Sequence, residues 1–328
     1  MYWYEKEGKE QDIFLSTRVR FARNLRDYPF EPALDAPSAR EIIERVGGIL
    51  KPLGYESVDK ERGVLYEKRL ISREMAEKKT PSEIYTKDDC CIMVCEEDHL
   101  RIQAIKSGLD LEGAFKACSE AEQALDEKLR FAFSEELGYL THCPTNLGCA
   151  MRVSVMMFLP CLSEAGKMKM IERELSRLGI TVRGSGGEGS GAEGCLYQIS
   201  NSVTMGVTEE EILENVRRAA ESIVLTEREL RRRMKEADED KLRDRLLRSY
   251  GSAMYAFLTD SGELYRFYAN IRLAAILGYV PCNTCIIDKM LFENLPYHII
   301  SRKGELSALE RDKERARAVS EMLRKASS

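Results

Sequence analysis

Hydrophobic spacing changes character at Thr208, and the change divides the chain into two kinds of architecture. Before it, short β-rich runs alternate with helical patches and Gly-rich loops. Residues 13–21, 63–71, 91–95 and 195–199 collect β-branched, aromatic and small apolar side chains between polar turns, and are expected strands. Residues 38–50 and 111–136 are expected helices. From Thr208 on, Thr208-Glu209-Glu210-Glu211 forms a capping box, and Ile212, Val216, Ala219 and Ile223 recur along one helical face. Both charge signs then crowd residues 227–248, as expected of a solvated helix laced with i,i+4 pairs or of a surface for a partner. A second capping box, Ser307-Ala308-Leu309-Glu310, opens a final helix. The expected organisation is a mixed unit over residues 1–225 and an all-helical unit over 226–328, without internal repeats.

With 328 residues, 44% of them hydrophobic, the chain has material for one large domain or two. No stretch approaches the roughly 18 consecutive apolar residues of a membrane span, and Met1 to Gln11 is polar and unlike a signal peptide. The expectation is a cytoplasmic protein with no membrane partner. The 10 cysteines lie mostly in apolar runs such as 90–95, so free thiols are expected. Cys282 and Cys285 resemble half a zinc site, but no second pair or nearby histidine completes it, and no structural metal is expected. With 50 basic and 55 acidic residues there is no global footprint for nucleic acid, so any basic function is local.

Four segments carry chemistry. In Ser16-Thr17-Arg18-Val19-Arg20 the two arginines fall on one face of an expected strand. Their planar guanidinium forks suit a polyphosphate, although an exposed strand face can also simply carry arginines. In Glu96-Glu97-Asp98-His99-Leu100-Arg101, acids emerge from a buried run, where a carboxylate could grip a guanidinium and accept its proton while Arg101 joins a phosphate site. A charged loop is the plain alternative. Cys143 sits beside Pro144 in a polar turn, either as a thiol tuned by neighbouring cations or as an inert one; its neighbour His142 does not make it a dyad. Residues 183–191 form a Gly-rich loop that is neither a Walker A loop nor a dinucleotide fingerprint, yet it holds Arg183 for a phosphate and Glu188 for a guanidinium. Together these describe phosphoryl transfer run by positioning and charge neutralisation.

The segments STRVRFARN, EEDHLRI, GYLTHCPTNLG, RVSVM, RGSGGEG and YQISN, in this order, resemble the ATP:guanidino phosphotransferases. The start close to the first motif and the ending RDKERA resemble the bacterial branch of that family that phosphorylates protein arginines. The resemblance implies an α+β catalytic domain, an antiparallel sheet flanked by helices, followed by an all-helical domain that forms a homodimer. It implies ATP, with Mg²⁺ bridging its phosphates. The nucleotide would contact Ser16, Thr17, Arg18, Val19 and Arg20, then Arg69, Arg101, Arg152, Val153, Ser154, Val155 and Met156, and finally Arg183, Gly184, Ser185, Gly186, Gly187 and Glu188. Glu97 and Glu188 would hold and deprotonate the guanidinium, with Cys143 beside it. Arg311, Asp312, Arg315 and Ala316 would form an allosteric phosphoarginine pocket. The partners implied are proteins with exposed arginines, with room for an activator protein and a role in stress response. Departures from the family pattern are Arg69 for a histidine, Cys95 for an asparagine, Cys149-Ala150 for Thr-Gly and Val153 for an alanine. A kinase for free arginine or another small guanidino compound, and a weakly active phosphoarginine-binding scaffold, are the rival expectations.

Overall fold

In the computed structural model, which describes residues 2–58, 61–184 and 192–327, every strand pairing is antiparallel. The strands are β1 Phe14–Arg23, β2 Glu56–Ser57, β3 Glu83–Lys87, β4 Cys90–Val94, β5 Leu100–Ser107, β6 Phe133–Ser134, β7 Gly138–Tyr139, β8 Met151–Phe158, β9 Ile180–Gly184 and β10 Leu196–Asn201. Eight of them form one sheet in the order β2-β3-β4-β5-β1-β8-β10-β9, and β6 and β7 form a separate ribbon. The helices in the first part are α1 Ala36–Leu50, α2 Arg62–Glu67, α3 Arg73–Glu77, α4 Leu111–Asp126, α5 Pro160–Glu164 and α6 Met168–Ser176. The rest are α7 Glu209–Ala237, α8 Glu239–Tyr255, α9 Ser261–Ile276, α10 Thr284–Phe292, α11 Pro296–Lys303 and α12 Ala308–Ser327.

The pleat sorts β1 and β8 into two faces. Val19, Phe21, Val153 and Val155 point to the side covered by α1, α4 and α7, where they share one core with Ile42, Val46, Ala114, Cys118, Ile212 and Val216. Near the other end of the sheet Leu15, Ile105, Met156, Phe158 and Leu196 join a second core with α8–α10 and α12. Trp3 and Tyr4 seal it, their rings 4.8 and 5.4 Å from Phe292. Polar side chains remain between these two apolar regions, on the face opposite α4.

Several sequence expectations change here. Residues 63–71 are not a strand: α2 occupies Arg62–Glu67, held by Arg62 donating to Met75 O and Ser82 and by the Glu67 carboxylate accepting from the Tyr297 and His298 amides. Those partners are remote in sequence, which is why local spacing misled. The helix expected to reach residue 136 stops at Asp126, and the ribbon β6–β7 follows. The capping box at Thr208 does open α7, with the Glu211 amide donating to Thr208 Oγ1 and Glu211 reaching back to the Thr208 amide. Residue 225 lies inside α7, whose far end still binds the first part through Arg231 and Asp12, 2.9 Å apart.

Candidate active site

Cross-strand register brings the arginines together. Arg18 lies opposite Ile105 and Ser154, Arg20 opposite Gln103 and Arg152, and Arg101 opposite Ala22. Residues directly opposite share a face, so Arg18, Arg20, Arg101 and Arg152 all project to the same side. Arg183 on β9 pairs with Gln198, itself opposite Met156, and therefore joins that face from the sheet edge. A cavity of about 330 Å³ is lined by Arg20, Arg101, Arg152, Arg183, Glu74, Glu96, Glu97, Cys143 and Asn146. A smaller recess beside it is lined by Ser16, Arg18, Arg69, Ser154, Met156 and Gln198.

The cationic cluster is under electrostatic stress. Arg18 is pushed down to about 9 by desolvation and then by the charges of Arg101, Arg69 and Arg152. Arg20 is lowered too, by desolvation and by Arg101, Arg18 and Arg152; among the described residues it forms no ion pair. Arg69 is lowered by burial. Guanidinium groups do not lose their protons in such a place, so what relieves the stress is an anion with several oxygens.

The acidic side is built by a tight turn between β4 and β5, closed by Cys95 N donating to His99 O at 2.8 Å and Glu96 N to Asp98 O at 3.1 Å. The three successive acids then do different things. Glu96 is buried and bonded to Arg101 at 2.6 Å and to Ser72. Burial opposes its charge, but the Arg101 guanidinium and the hydrogen bonds from Arg101, Ser72 and the Glu97 amide hold its carboxyl at about 2. Asp98 is structural: it accepts from Asn24 at 2.6 Å and from the His142 amide at 2.7 Å, tying this turn to the Cys143 loop. Of the three, Glu97 is the carboxylate left facing the cavity. Its pKa is raised by partial burial and by the charges of Asp98 and Glu96. A basic carboxylate beside a cationic cluster can orient a guanidinium and take its proton.

Cys143 lines the same cavity, with Sγ 3.0 Å from Thr145 Oγ1. Thr204 holds its loop from beneath, donating to Leu147 O at 2.7 Å and to Thr145 O at 3.1 Å. Asn201 fixes β8 by accepting from the Val153 amide at 2.8 Å and donating to Met151 O at 3.0 Å. Thr204 and Glu74 were missed in the sequence because nothing in their local pattern marks them, and Asn146 was legible only as part of the GYLTHCPTNLG segment. Asn201 was legible only as the end of the YQISN segment.

The pleat turns the side chains of four residues expected to contact nucleotide away from the arginine face. Thr17, Val19, Val153 and Val155 turn their side chains to the helix-covered face; Thr17 Oγ1 donates to Gly108 O and accepts from the Asp110 amide. Ser16, Ser154 and Met156 stay on the arginine face, and Gly184 ends β9 at the cavity's edge of the sheet. Ser185, Gly186, Gly187 and Glu188 lie outside the described residues. The C-terminal residues are far less alike than their spacing implied. Arg315 is 1% exposed, with Nε donating to Asn294 O at 3.0 Å and Nη1 to Thr259 O at 2.7 Å and Asp312 Oδ1 at 2.6 Å. Ala316 is buried as well, whereas Arg311 stays partly exposed and donates to Leu306 O at 2.8 Å. Arg315 is thus a tie between the loop joining α10 and α11, helix α12 and the loop after α8, and of the four residues only Arg311 and Asp312 offer polar groups outward.

Known proteins place this geometry. Residues 52–230 match the model of the ATP:guanido phosphotransferase C-terminal catalytic domain, and residues 239–328 that of the Protein-arginine kinase McsB C-terminal domain. A protein-arginine kinase of Halothermothrix orenii is 39% identical over 97% of this chain and 95% of its own length. Another, of Symbiobacterium thermophilum, is 37% identical over 96% and 94%. The crystal structure of lombricine kinase superposes with a TM-score of 0.60 at 22% identity, over 67% of this chain and 68% of that one, a likeness of fold. A catalytic-domain match over more than half the sequence, and relatives aligned along nearly all of it, establish that the chain belongs to the ATP:guanido phosphotransferase family.

Proposed function

We propose that this chain is a protein-arginine kinase, which moves the γ-phosphoryl group of ATP to the guanidinium of arginine side chains in other proteins. The observation that carries the reading is the convergence of Arg18, Arg20, Arg101, Arg152 and Arg183 on one sheet face beside Glu97. In the reaction an arginine nitrogen attacks the γ-phosphorus, the N–P bond forms as the bond to the ADP oxygen breaks, and the proton leaves the nitrogen for the Glu97 carboxylate. The arginine cluster holds the phosphates in line and offsets the charge that develops on them. Glu96 keeps Arg101 aimed at the cavity. Cys143 packs beside the acceptor guanidinium. Mg²⁺ suits this site as an ion carried on the nucleotide's own phosphate oxygens.

The division near residue 225 is proposed as a functional one, with α8–α12 regulatory. Supporting a phosphoarginine site at Arg311 and Asp312 is a chain of contacts toward the active-site side: Asp312 accepts from Arg315, Arg315 donates to Asn294 O, α11 follows at once, and its first amides donate to Glu67, two residues before Arg69. Exposed Tyr255, Phe257, Leu258 and Leu309 support a homodimer through this part. The cytoplasm, where thiols stay reduced, accords with the free cysteines. The test is incubation with ATP and a mixed protein lysate, followed by acid lability and mass-spectrometric mapping. Acid-labile phosphate on arginine is expected; transfer to free arginine alone overturns the protein-substrate reading.

A further inference from the structure

Beside the guanidinium cavity lies a shallow groove of about 380 Å³, lined by Phe133, Glu136, Leu137, Tyr139, Met205 and Glu209 among others. Three of these are large apolar side chains left in solvent: Phe133 is 59% exposed, Met205 47% and Leu137 42%. Scattered singly they would need no explanation, but here they border one concavity.

The aromatic side of the groove is packed in place. The Phe133 ring packs edge-on against Tyr139 at 5.2 Å, and the Arg23 guanidinium lies 3.5 Å over Tyr139. Arg23 is itself buried and bonded to Glu122 at 2.8 Å. The wall between groove and cavity is backbone. Gly148 N donates to Leu137 O at 2.9 Å, and Cys149 N to Thr204 O at 3.1 Å. Gly148 holds φ at +102°, and a Cβ there would stand 2.1 Å from Thr204 O, so no thicker wall fits. Thr204 lines both spaces, and Cys143 and Thr145 on the far side of this wall belong to the cavity. A polypeptide whose arginine enters the cavity over Thr204 crosses this wall.

We propose that the Phe133–Leu137–Met205 groove seats the substrate polypeptide beside the arginine being phosphorylated, taking an apolar side chain that flanks it. The inference rests on the protein-arginine kinase reading and adds a basis for substrate choice. Charge favours this occupant, because Glu136 and Glu209 border the groove and the substrates are arginine-bearing. Pre-placed apolar contact near the reacting group acts mainly on the capture of substrate.

The experiment uses the full chain with ATP and two arginine peptides, one with leucine on both sides of the arginine and one with glycine there. The parent should favour the leucine peptide about tenfold in kcat/KM, the size expected from burying one large apolar side chain in part. Phe133→Ser, Met205→Ser and the Phe133→Ser/Leu137→Ser/Met205→Ser variant should lose that preference through KM, with kcat and nucleotide affinity within about twofold. All three side chains are exposed, and a melting curve for each variant checks the fold. If the parent phosphorylates peptides without preference, or the variants keep it, or kcat falls while KM holds, the groove is not a substrate site. Loss of a dimer in light scattering for the triple variant, with the preference intact, assigns the groove to a second copy of this chain and overturns the proposal. A parent that phosphorylates no peptide or protein arginine at all overturns the kinase reading itself.

Discussion

Glu97→Gln isolates the carboxylate proposed to receive the guanidinium proton. Among the described residues the Glu97 side chain accepts no hydrogen bond; it is the Glu97 amide that donates, to Glu96 Oε2 at 2.9 Å. The amide therefore replaces the acid without breaking the turn between β4 and β5. Losing a positioned base and its charge should slow transfer by roughly two to four orders of magnitude, which at 1.36 kcal/mol per decade is about 3–5 kcal/mol of barrier. Stability should move the other way. A carboxyl whose pKa is raised in the folded protein stabilises it only at low pH, and that contribution is lost as pH rises through the raised value. At neutral pH the ionised Glu97 opposes folding against Glu96 and Asp98, so the variant should melt at or above the parent. The arginine face is untouched, and nucleotide affinity should stay within a few-fold. Rates of phosphoarginine formation across pH, calorimetric nucleotide binding and a melting curve provide the assay. The parent rate should climb with pH as Glu97 ionises, and the variant should lack that limb. Turnover within a few-fold of the parent, or a loss matched by an equal loss of nucleotide affinity, refutes the assignment.

Arg20→Met should weaken ATP binding by roughly tenfold to a hundredfold, the worth of one charge-assisted contact, and should raise the melting temperature of the nucleotide-free protein by removing a desolvated like charge; calorimetry with and without ATP checks both. Cys143→Ala should slow transfer less than Glu97→Gln, and mass spectrometry of the parent during turnover should find no phosphocysteine, since transfer is direct. Arg315→Ala should destabilise by about 3 kcal/mol, because Asn294 O, Thr259 O and Asp312 lose a buried partner, whereas Arg311→Ala should leave stability within about 0.5 kcal/mol and abolish any response to added phosphoarginine. Denaturant melts and phosphoarginine titrations separate these two.

What could be read from the sequence was whatever one element decides by itself. Period-2 spacing placed Arg18 and Arg20 on one face, and cross-strand register then did the rest. The same pleat turns the Thr17 and Val19 side chains away from that face, but a motif names a run of residues and is blind to which of them face inward. The Glu96-Glu97-Asp98 run shows this limit more sharply. Three like residues become a partner for Arg101, a free base and a loop staple, and only their contacts with Arg101, Asn24 and the His142 amide tell them apart. Depth was equally hidden at the C-terminus, where i,i+4 spacing put Arg311 and Arg315 on one helical face without revealing that Asn294 and Thr259 bury the second. Residues 63–71 failed for a related reason, since the side chain facing Gly63 is the Tyr297 ring, from the other end of the chain.

The departures from the family pattern carry a physical regularity. Arg69, Cys95 and Ala150 all adopt left-handed backbone, with φ of 62°, 57° and 50°. In the left-handed region asparagine and glycine are tolerated best, and another L-residue costs about 1–2 kcal/mol. The resemblance places an asparagine at Cys95 and a glycine at Ala150, so this chain holds two conformations at added cost. It keeps them because hydrogen bonds fix the backbone: Cys95 N binds His99 O at 2.8 Å, Ala150 O accepts from Ala22 N at 3.0 Å, and Arg69 N donates to Tyr66 O at 2.8 Å. Each strained residue also precedes or forms part of the site, with Cys95 leading into Glu96 and Glu97, Ala150 lining the cavity two residues before Arg152, and Arg69 lining the recess with Arg18. The substitutions therefore weigh on stability, while the backbone that aims Glu97, Arg101 and Arg152 is held by partners that these side chains do not supply.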